Sequence, residues 1–201
     1  MIRILIADDE HLIREAIAGL LELEDDFEVV GQVASGDEAL KAALRLRPDV
    51  ALLDLQMPSL DGIEVARRLT NQLPECRSII VTSHGRPGYL KSALSAGARG
   101  FLPKTTSSRN LAQVIRKIAA GGRHVDPELA AEAIGAGDSP LTPREADVLA
   151  LARDGAPVDE IAQRVSLSPG TVRNYLAAAI AKLGAANRHE AARIAAKHGW
   201  I

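Results

Sequence analysis

The chain has 201 residues and a formal net charge of −2, and 47% of its residues are apolar while 25% are charged. This composition is typical of a folded globular protein, and it excludes both a disordered chain and a protein that is basic over its whole surface. The single cysteine, Cys76, excludes an internal disulfide, and no apolar run approaches the roughly 18 residues of a membrane span, so we expect a cytoplasmic protein without a membrane partner.

Residues 1–120 alternate between short apolar runs and amphipathic helical patterns of period 3.6. Parallel strands need crossover helices between them, so five successive strand–helix units predict an α/β fold with a doubly wound, parallel, five-stranded sheet. The predicted strands are residues 2–7, 27–33, 50–55, 78–83 and 100–103, and the predicted helices are residues 10–23, 36–46, 62–73, 87–96 and 108–120.

The pattern changes at Gly121-Gly122, beyond which the sequence shows helical periodicity and no strand signal. Thr142, Pro143 and Glu145 have the spacing of a capping box at the start of a helix. The predicted helices are residues 126–134, 142–153, 158–165, 169–183 and 188–198, with a flexible tether at residues 135–140. We therefore predict a first domain at residues 1–121, a linker with a short helix at residues 122–138, and a smaller all-α domain at residues 139–201.

Charge is distributed unevenly along the chain. Residues 1–38 contain eleven acidic and two basic side chains, whereas residues 166–201 contain five basic side chains and one acidic one. This asymmetry predicts different partners for the two ends.

Acidic, hydroxyl and cationic side chains follow the predicted strands. Asp8 and Asp9 come after the first strand, and Asp54 comes at the end of the third. Thr82 and Lys104 end the fourth and fifth. Open parallel sheets bind ligands at the carboxyl ends of their strands, so these side chains should meet at one edge. Mg²⁺ would offset the repulsion among three carboxylates and leave Asp54 as a nucleophile toward an activated phosphoryl group. The alternative for Asp9 is an ordinary helix cap.

These side chains belong to longer motifs, namely Asp8-Asp9, Leu53-Asp54-Leu55-Gln56-Met57-Pro58, Asp61-Gly62, Thr82 and Gly97-Ala98-Arg99-Gly100-Phe101-Leu102-Pro103-Lys104. In these motifs the first domain resembles the flavodoxin-like receiver domains of two-component response regulators. The resemblance implies that a sensor histidine kinase phosphorylates Asp54. It also implies that Mg²⁺ is bound by Asp9, Asp54 and the main-chain carbonyl of Gln56, with Asp8 acting through water.

The same resemblance implies a conformational switch. Thr82 would move toward the phosphoryl group, and Phe101 would turn inward behind it, although ordinary core packing is the alternative for Phe101. Gln56 and His84, two residues beyond Asp54 and Thr82, occupy positions that set how fast a receiver loses its phosphoryl group. Many receivers have proline after the lysine, whereas Thr105 follows Lys104 here, so a cis or a trans bond remains open at that position.

Residues 158–176 have the layout of a helix-turn-helix. Ile161 and Val165 form an apolar stripe on the first helix, Leu167 fills the turn, and Ser168 is a helix-capping residue before Pro169. The outward positions at the start of the second helix are occupied by Thr171, Arg173, Asn174 and Ala177, where a recognition helix contacts base edges. A helical hairpin with a solvated polar face is the alternative.

Further motifs of the second domain are Leu141-Thr142-Pro143-Arg144-Glu145, Glu160-Ile161-Ala162, Leu167-Ser168, Thr171-Val172-Arg173 and Lys182-Leu183-Gly184-Ala185-Ala186-Asn187-Arg188-His189-Glu190-Ala191. This domain resembles the LuxR-type effectors of the NarL/FixJ response regulators. The resemblance implies double-stranded promoter DNA as a ligand, base contacts by Arg173 and Asn174, phosphate contacts by Thr171, Lys182 and Arg188, and RNA polymerase as a further partner. It also implies dimerisation through residues 188–198. Three short segments are shared with one particular member of the family: Leu23-Glu24-Asp25-Asp26, Arg86-Pro87-Gly88-Tyr89 and Gly199-Trp200.

The sequence therefore predicts a transcription factor that is activated when phosphorylation of Asp54 drives homodimerisation and promoter binding. We expect it to be a phosphoacceptor with at most self-dephosphorylation activity, not an enzyme. The receiver face that pairs is either residues 10–23 with 108–120 or the face around the fourth helix. One alternative is a regulator of the same fold controlled by a ligand or partner without phosphorylation. A phosphatase that forms an aspartyl phosphate is disfavoured because Gln56 stands where such enzymes have a second catalytic aspartate. A nucleotide-binding enzyme is disfavoured because neither of the glycine-rich phosphate-binding motifs is present.

Overall fold

The structure is a computed structural model that describes residues 1–83, 87–135, 139–153 and 155–201. The chain divides into two compact units, one made of Met1–Gly85 and Leu90–Pro127 and the other of Arg86–Tyr89 and Glu128–Ile201. His84, predicted to influence phosphoryl loss, lies outside the described residues. No helix in the described part of the chain is both long and apolar enough to cross a membrane.

The N-terminal unit is built on one parallel sheet with the strand order β2-β1-β3-β4-β5-β6. The order reverses direction at β1, which leaves a crevice at the carboxyl ends of β1 and β3. The predicted doubly wound fold is thus confirmed. The strands are β1 Ile2–Ala7, β2 Phe27–Val33, β3 Val50–Asp54, β4 Arg77–Thr82, β5 Gly100–Pro103 and β6 His124–Val125.

Helices cover the sheet and bury its apolar side chains. Ile4, Leu52 and Ile79 face α1 and α5 in one buried cluster. Leu5 and Leu53, which alternate with them along the strands, are also buried, and α2 and α3 pack against the sheet. Burial on both faces explains why these strands are almost continuously apolar. The first five helices are α1 His11–Leu21, α2 Gly36–Leu46, α3 Gly62–Gln72, α4 Pro87–Ser95 and α5 Ser108–Ala119.

The sixth strand corrects the prediction that strands end before Gly121-Gly122. His124 and Val125 pair with Gly100 and Phe101 at the edge of the sheet. A strand of two residues is too short to show an alternating pattern, so its formation depends on the free edge of β5 and not on local propensity.

The described residues of the C-terminal unit form five helices with a separate apolar core. Val148, Ile161, Val172 and Ala195, which come from four different helices, are fully buried in one cluster. The predicted capping box is confirmed, because Thr142 N donates to Glu145 Oε2 (2.7 Å) and Glu145 N donates to Thr142 Oγ1 (3.3 Å). The helices are α6 Pro127–Gly135, α7 Pro143–Arg153, α8 Val158–Arg164, α9 Pro169–Leu183 and α10 Arg188–Lys197.

Candidate functional site

Three carboxylates meet at the carboxyl edge of the sheet. Asp8 and Asp9 follow β1, Asp54 ends β3, and one oxygen from each lies within 4.8 Å of the others. Asp8 and Asp54 are buried, whereas Asp9 is exposed. Asp9 does not cap α1, because the N-cap is Glu10, and the main-chain N of Glu10 donates instead to Asp8 Oδ1 (2.9 Å). The structure therefore brings together the three acids that the sequence singled out.

Lys104 supplies the positive charge in this cluster. Its Nζ lies 2.9 Å from Asp8 Oδ2 and 3.2 Å from Asp54 Oδ1, and its side chain is only 8% exposed. Its main-chain N donates to Thr82 O (2.8 Å), which fixes the start of the loop after β5. This main-chain hydrogen bond joins the residue after β5 to the end of β4. It thus positions the Lys104 ammonium beside the acids at the ends of β1 and β3.

Two further side chains at this edge were missed by the sequence analysis. Glu10 Oε1 accepts a hydrogen bond from Lys104 Nζ (2.8 Å), and Arg14 Nη1 donates to Asp8 O (2.5 Å). The only signal for Glu10 was its place directly after the Asp8-Asp9 pair. That position also fits a solvated residue in the turn before a helix, so the pattern alone gave no reason to select it.

Burial and mutual repulsion change the proton affinities of these groups. Burial raises the pKa of Asp54 to about 7, and the negative charges of Asp8 and Asp9 add to this effect while Lys104 opposes it. Burial and the charge of Asp8 also raise the pKa of Asp9. Burial alone would lower the pKa of Lys104, but its hydrogen bonds to Glu10 and Asp8 have the larger effect and raise the pKa above its ordinary value. The ammonium therefore remains charged. The cluster thus has an excess of negative charge that favours a cation.

The cluster fits a hard divalent cation such as Mg²⁺. Carboxylate oxygens are the ligands that Mg²⁺ prefers, and Asp8, Asp9 and Asp54 present them on one edge. Gln56, whose carbonyl was predicted as a further ligand, is half-buried in the loop after β3. Gly62 N closes this loop on Leu55 O (3.0 Å), and a Cβ at Gly62 would lie 2.2 Å from Asp54 O, so only glycine permits this close approach.

The two predicted switch residues lie on neighbouring strands. Phe101 of β5 pairs with Ile80 of β4, and Thr82 comes two residues later on β4, so Thr82 and Phe101 face the same side of the sheet. Both are buried, and Phe101 is fully enclosed. None of the described peptide bonds is cis, so the bond after Lys104 is trans.

The helix-turn-helix of the C-terminal unit is formed by α8 and α9. Ile161 and Val172 are fully buried between the helices. Leu167 in the turn packs against the same core. Ser168 Oγ accepts a hydrogen bond from Thr171 N (3.1 Å), which confirms the predicted cap. The predicted helix-turn-helix layout of residues 158–176 is therefore confirmed by both its buried core and its helix cap.

The predicted DNA-contacting residues fall into two groups. Arg173 and Asn174 are exposed near the start of α9, and Thr171 lies beside the cap. Lys182 Nζ instead bonds Glu145 Oε2 (2.7 Å), and Arg188 Nη1 donates to Ala156 O (3.1 Å). Thr171, Arg173 and Asn174 therefore lie where they could contact DNA at the N-terminus of α9. Lys182 and Arg188 already have partners within the C-terminal unit, so their contacts with DNA phosphate stay a prediction.

Comparison with known proteins identifies both units. Residues 4–116 match the family model for the response regulator receiver domain, and residues 139–195 match the model for bacterial regulatory proteins of the luxR family. Together the two matches account for most of the chain.

Full-length relatives and a solved structure agree with the family models. The transcriptional regulatory proteins YvfU and DesR of Bacillus subtilis strain 168 are 44% and 42% identical to this chain over 201 residues, which is the full length of each. DesR is the family member that the three short shared segments indicated. A DNA complex of the two-component response regulator RcsB is 25% identical, with a TM-score of 0.62 over 97% of this chain and 98% of that one. The chain therefore belongs to the two-component response regulators with a LuxR-type DNA-binding domain, and it is a transcriptional regulator.

Proposed function

We propose that this regulator is activated by phosphorylation of Asp54, which drives homodimerisation and binding to promoter DNA. The observation that supports this most directly is the buried Asp54 carboxylate, which lies at the carboxyl edge of the sheet against Lys104 and two further acids. A carboxylate that is buried among like charges is costly to fold, so its presence favours a chemical role over a structural one.

The phosphoryl donor in this proposal is the phosphohistidine of a sensor histidine kinase. An ionised Asp54 oxygen attacks the phosphorus, the new O–P bond forms as the P–N bond breaks, and the departing imidazole nitrogen keeps the electron pair and takes up a proton. Mg²⁺, held by Asp9, Asp54 and the Gln56 carbonyl with Asp8 acting through water, would neutralise charge on the transferring oxygens. Lys104 would stabilise the same oxygens from the opposite side.

The acyl phosphate would be sensed by the neighbouring strand. The Thr82 hydroxyl would donate a hydrogen bond to a phosphoryl oxygen, and Phe101, on the same side of the sheet, would keep the space behind it filled. We expect no catalysis beyond phosphoryl acceptance and slow self-dephosphorylation at Asp54.

The proposed dimer consists of two copies of this chain, and exposed apolar side chains indicate where they would meet. The side chains of Leu12 and Leu20 on α1, and of Leu23 after it, are 80%, 45% and 79% exposed. Helical spacing places Leu12 and Leu20 on one side of α1, and Leu23 is exposed just beyond the end of this helix. This exposed apolar surface favours the face formed by α1 and α5 as the dimer contact.

The dimer would present two recognition helices to DNA. Arg173 and Asn174 would contact guanine and adenine edges, and Thr171 would contact phosphate at the N-terminus of α9. Because few unpaired basic side chains line this helix, one copy would bind weakly and two linked copies would bind by avidity. In this arrangement the receiver spans residues 1–121, the linker residues 122–138 and the effector residues 139–201, and RNA polymerase is the further partner at the promoter.

The proposal is tested by measuring mass in solution with and without Mg²⁺ and beryllofluoride, which imitates the phosphoryl group. Wild type should change from monomer to dimer, and Asp54→Ala should not. Promoter fragments should bind the dimer much more tightly than the monomer. An unchanged wild-type mass would favour the alternative of a regulator that is controlled by a ligand or partner without phosphorylation.

A further inference from the structure

The ammonium of Lys104 is shared among three carboxylates. Its Nζ lies 2.9 Å from Asp8 Oδ2, 2.8 Å from Glu10 Oε1 and 3.2 Å from Asp54 Oδ1. An ammonium has three hydrogens, so these carboxylates occupy its full donor capacity. An anion that binds at Asp54 and contacts Lys104 must therefore take a donor from one of them.

Glu10 differs from the other two acids in its surroundings. Asp8 and Asp54 are 3% and 7% exposed, whereas the Glu10 side chain is 54% exposed at the start of α1. A carboxylate at the surface can exchange its contact with Lys104 for water, whereas a buried carboxylate would lose its partner without replacement. Glu10 is thus the partner that Lys104 can release most easily.

We propose that Glu10 is a positioning residue that competes with the phosphoryl group for Lys104 and thereby weakens the phosphorylated state. This inference rests on the proposed phosphorylation of Asp54. In the resting protein Glu10 holds the ammonium toward the edge of the sheet. When Asp54 is phosphorylated, the negative charge of Glu10 repels the phosphoryl oxygens and draws Lys104 away from them, which shortens the lifetime of the acyl phosphate.

The negative charge of Glu10 should strengthen the binding of a cation at this site and weaken the binding of an anion. Glu10→Gln removes one negative charge beside Lys104. A site with less negative charge binds Mg²⁺ more weakly, but it binds an anion more tightly because Lys104 is freed for it. A variant that merely disturbed the fold would weaken both ligands together. The two affinities therefore separate competition for Lys104 from a structural role.

The experiment is calorimetric titration of the full-length chain, first with Mg²⁺ and then with beryllofluoride at saturating Mg²⁺. For Glu10→Gln we expect the beryllofluoride affinity to rise about threefold to tenfold and the Mg²⁺ affinity to fall about twofold to fivefold, as one unit charge in a partly solvated site would produce. Glu15→Gln is the matched control, because it makes the same charge change on α1, where Glu15 is 62% exposed and is paired with His11. Both of its affinities should equal those of wild type.

The variant Glu10→Asp separates the effect of the contact with Lys104 from the effect of the negative charge. It keeps the negative charge but shortens the side chain, so its beryllofluoride affinity should lie between those of wild type and Glu10→Gln. The fluorine NMR signal of the bound fluoride that contacts Lys104 should shift in both Glu10 variants and not in Glu15→Gln. If wild type binds beryllofluoride and Glu10→Gln matches it, or if Glu10→Gln binds both ligands more weakly, the inference is wrong while the proposed function stands. If wild type does not bind beryllofluoride, the proposed phosphorylation of Asp54 fails, and the inference fails with it.

Discussion

Asp54 in the receiver and Glu145 in the effector are both buried acidic side chains, and their pKa values are shifted in opposite directions. Asp54 of the receiver is 7% exposed and Glu145 of the effector is 5% exposed. Burial raises the pKa of Asp54 to about 7, with Asp8 adding to the effect. Burial also acts to raise the pKa of Glu145, but hydrogen bonds from Lys182 and from Thr142 N outweigh it and lower the pKa.

The two acids differ in how fully positive charges and hydrogen-bond donors offset the negative charge of each carboxylate. Glu145 has Lys182 Nζ at 2.7 Å and the capping contact with Thr142, whereas Asp54 shares Lys104 with two other carboxylates. A fully paired buried acid stabilises its domain, and an acid with surplus negative neighbours stores unfavourable energy that a bound cation can relieve. Burial alone therefore does not distinguish a functional acid from a structural one.

The largest effect that follows from this comparison is loss of stability in Glu145→Ala. The substitution leaves Lys182 without its partner and Thr142 N without its acceptor, so we expect the effector to lose about 2–3 kcal/mol of unfolding free energy. The single tryptophan, Trp200, packs against the effector core, so its fluorescence during urea unfolding reports on this unit.

Glu160→Ala is the control for this measurement. Glu160 is also an acid in the first turn of an effector helix, but its pair with Arg164 is exposed, with side chains 43% and 57% accessible. Such a pair contributes at most about 0.5 kcal/mol. Equal losses in the two variants would contradict the view that Glu145 is a buried structural acid.

A smaller effect, of opposite sign, is expected at Asp54. Without divalent cations at pH 8, Asp54→Asn should stabilise the receiver by about 1–2 kcal/mol, because it removes a buried charge that repels Asp8 and Asp9. Hydrogen exchange measured in β3 gives the local unfolding free energy. Adding Mg²⁺ should stabilise wild type more than the variant. A less stable Asp54→Asn receiver would show that the pair with Lys104 outweighs the repulsion.

The two acids should also give the two units opposite pH dependences. A raised pKa means that folded Asp54 binds its proton more tightly than the unfolded chain, so the receiver gains stability as pH falls from about 7 toward 3.8. A lowered pKa means the reverse for Glu145, so the effector loses stability as pH falls below 4.5. Hydrogen exchange in β3 and α7, measured in the presence of a chelator from pH 8 down to about pH 3, distinguishes the two trends. Parallel trends would contradict the comparison.

Most of the fold could be predicted from the sequence because its signals are local. The five apolar strands are found within one residue of their predicted bounds, and Ser168 and Thr142 cap the helices that they were expected to cap. The sixth strand could not be predicted, because His124-Val125 is extended only through pairing with β5. Secondary structure was predictable where the sequence pattern was longer than a few residues.

Side-chain partners were harder to predict than positions. Asp8, Asp9, Asp54 and Lys104 were placed at one edge because topology alone brings strand ends together. The bond between Glu10 and Lys104 joins residues 94 positions apart, and it depends on how one half-exposed side chain turns. No periodicity in the sequence contains that information, so a charged residue's partner has to be seen in the structure.

The smallest expected effect concerns Lys182, which was predicted to contact DNA phosphate and is paired with Glu145 in the structure. Because its charge is already neutralised by Glu145, we expect Lys182→Gln to change promoter affinity by less than about twofold and to leave the salt dependence of binding unchanged. A phosphate contact would instead lower the slope of log affinity against log salt by about one. Arg173→Ala is the comparison variant, since loss of the base contact that we propose for this exposed arginine should cost about 1–3 kcal/mol in binding. Titrations of a promoter fragment at several salt concentrations measure both. A reduced slope in Lys182→Gln would mean that this lysine leaves Glu145 for phosphate on DNA, and the effector's structural pair would then also be part of its binding surface.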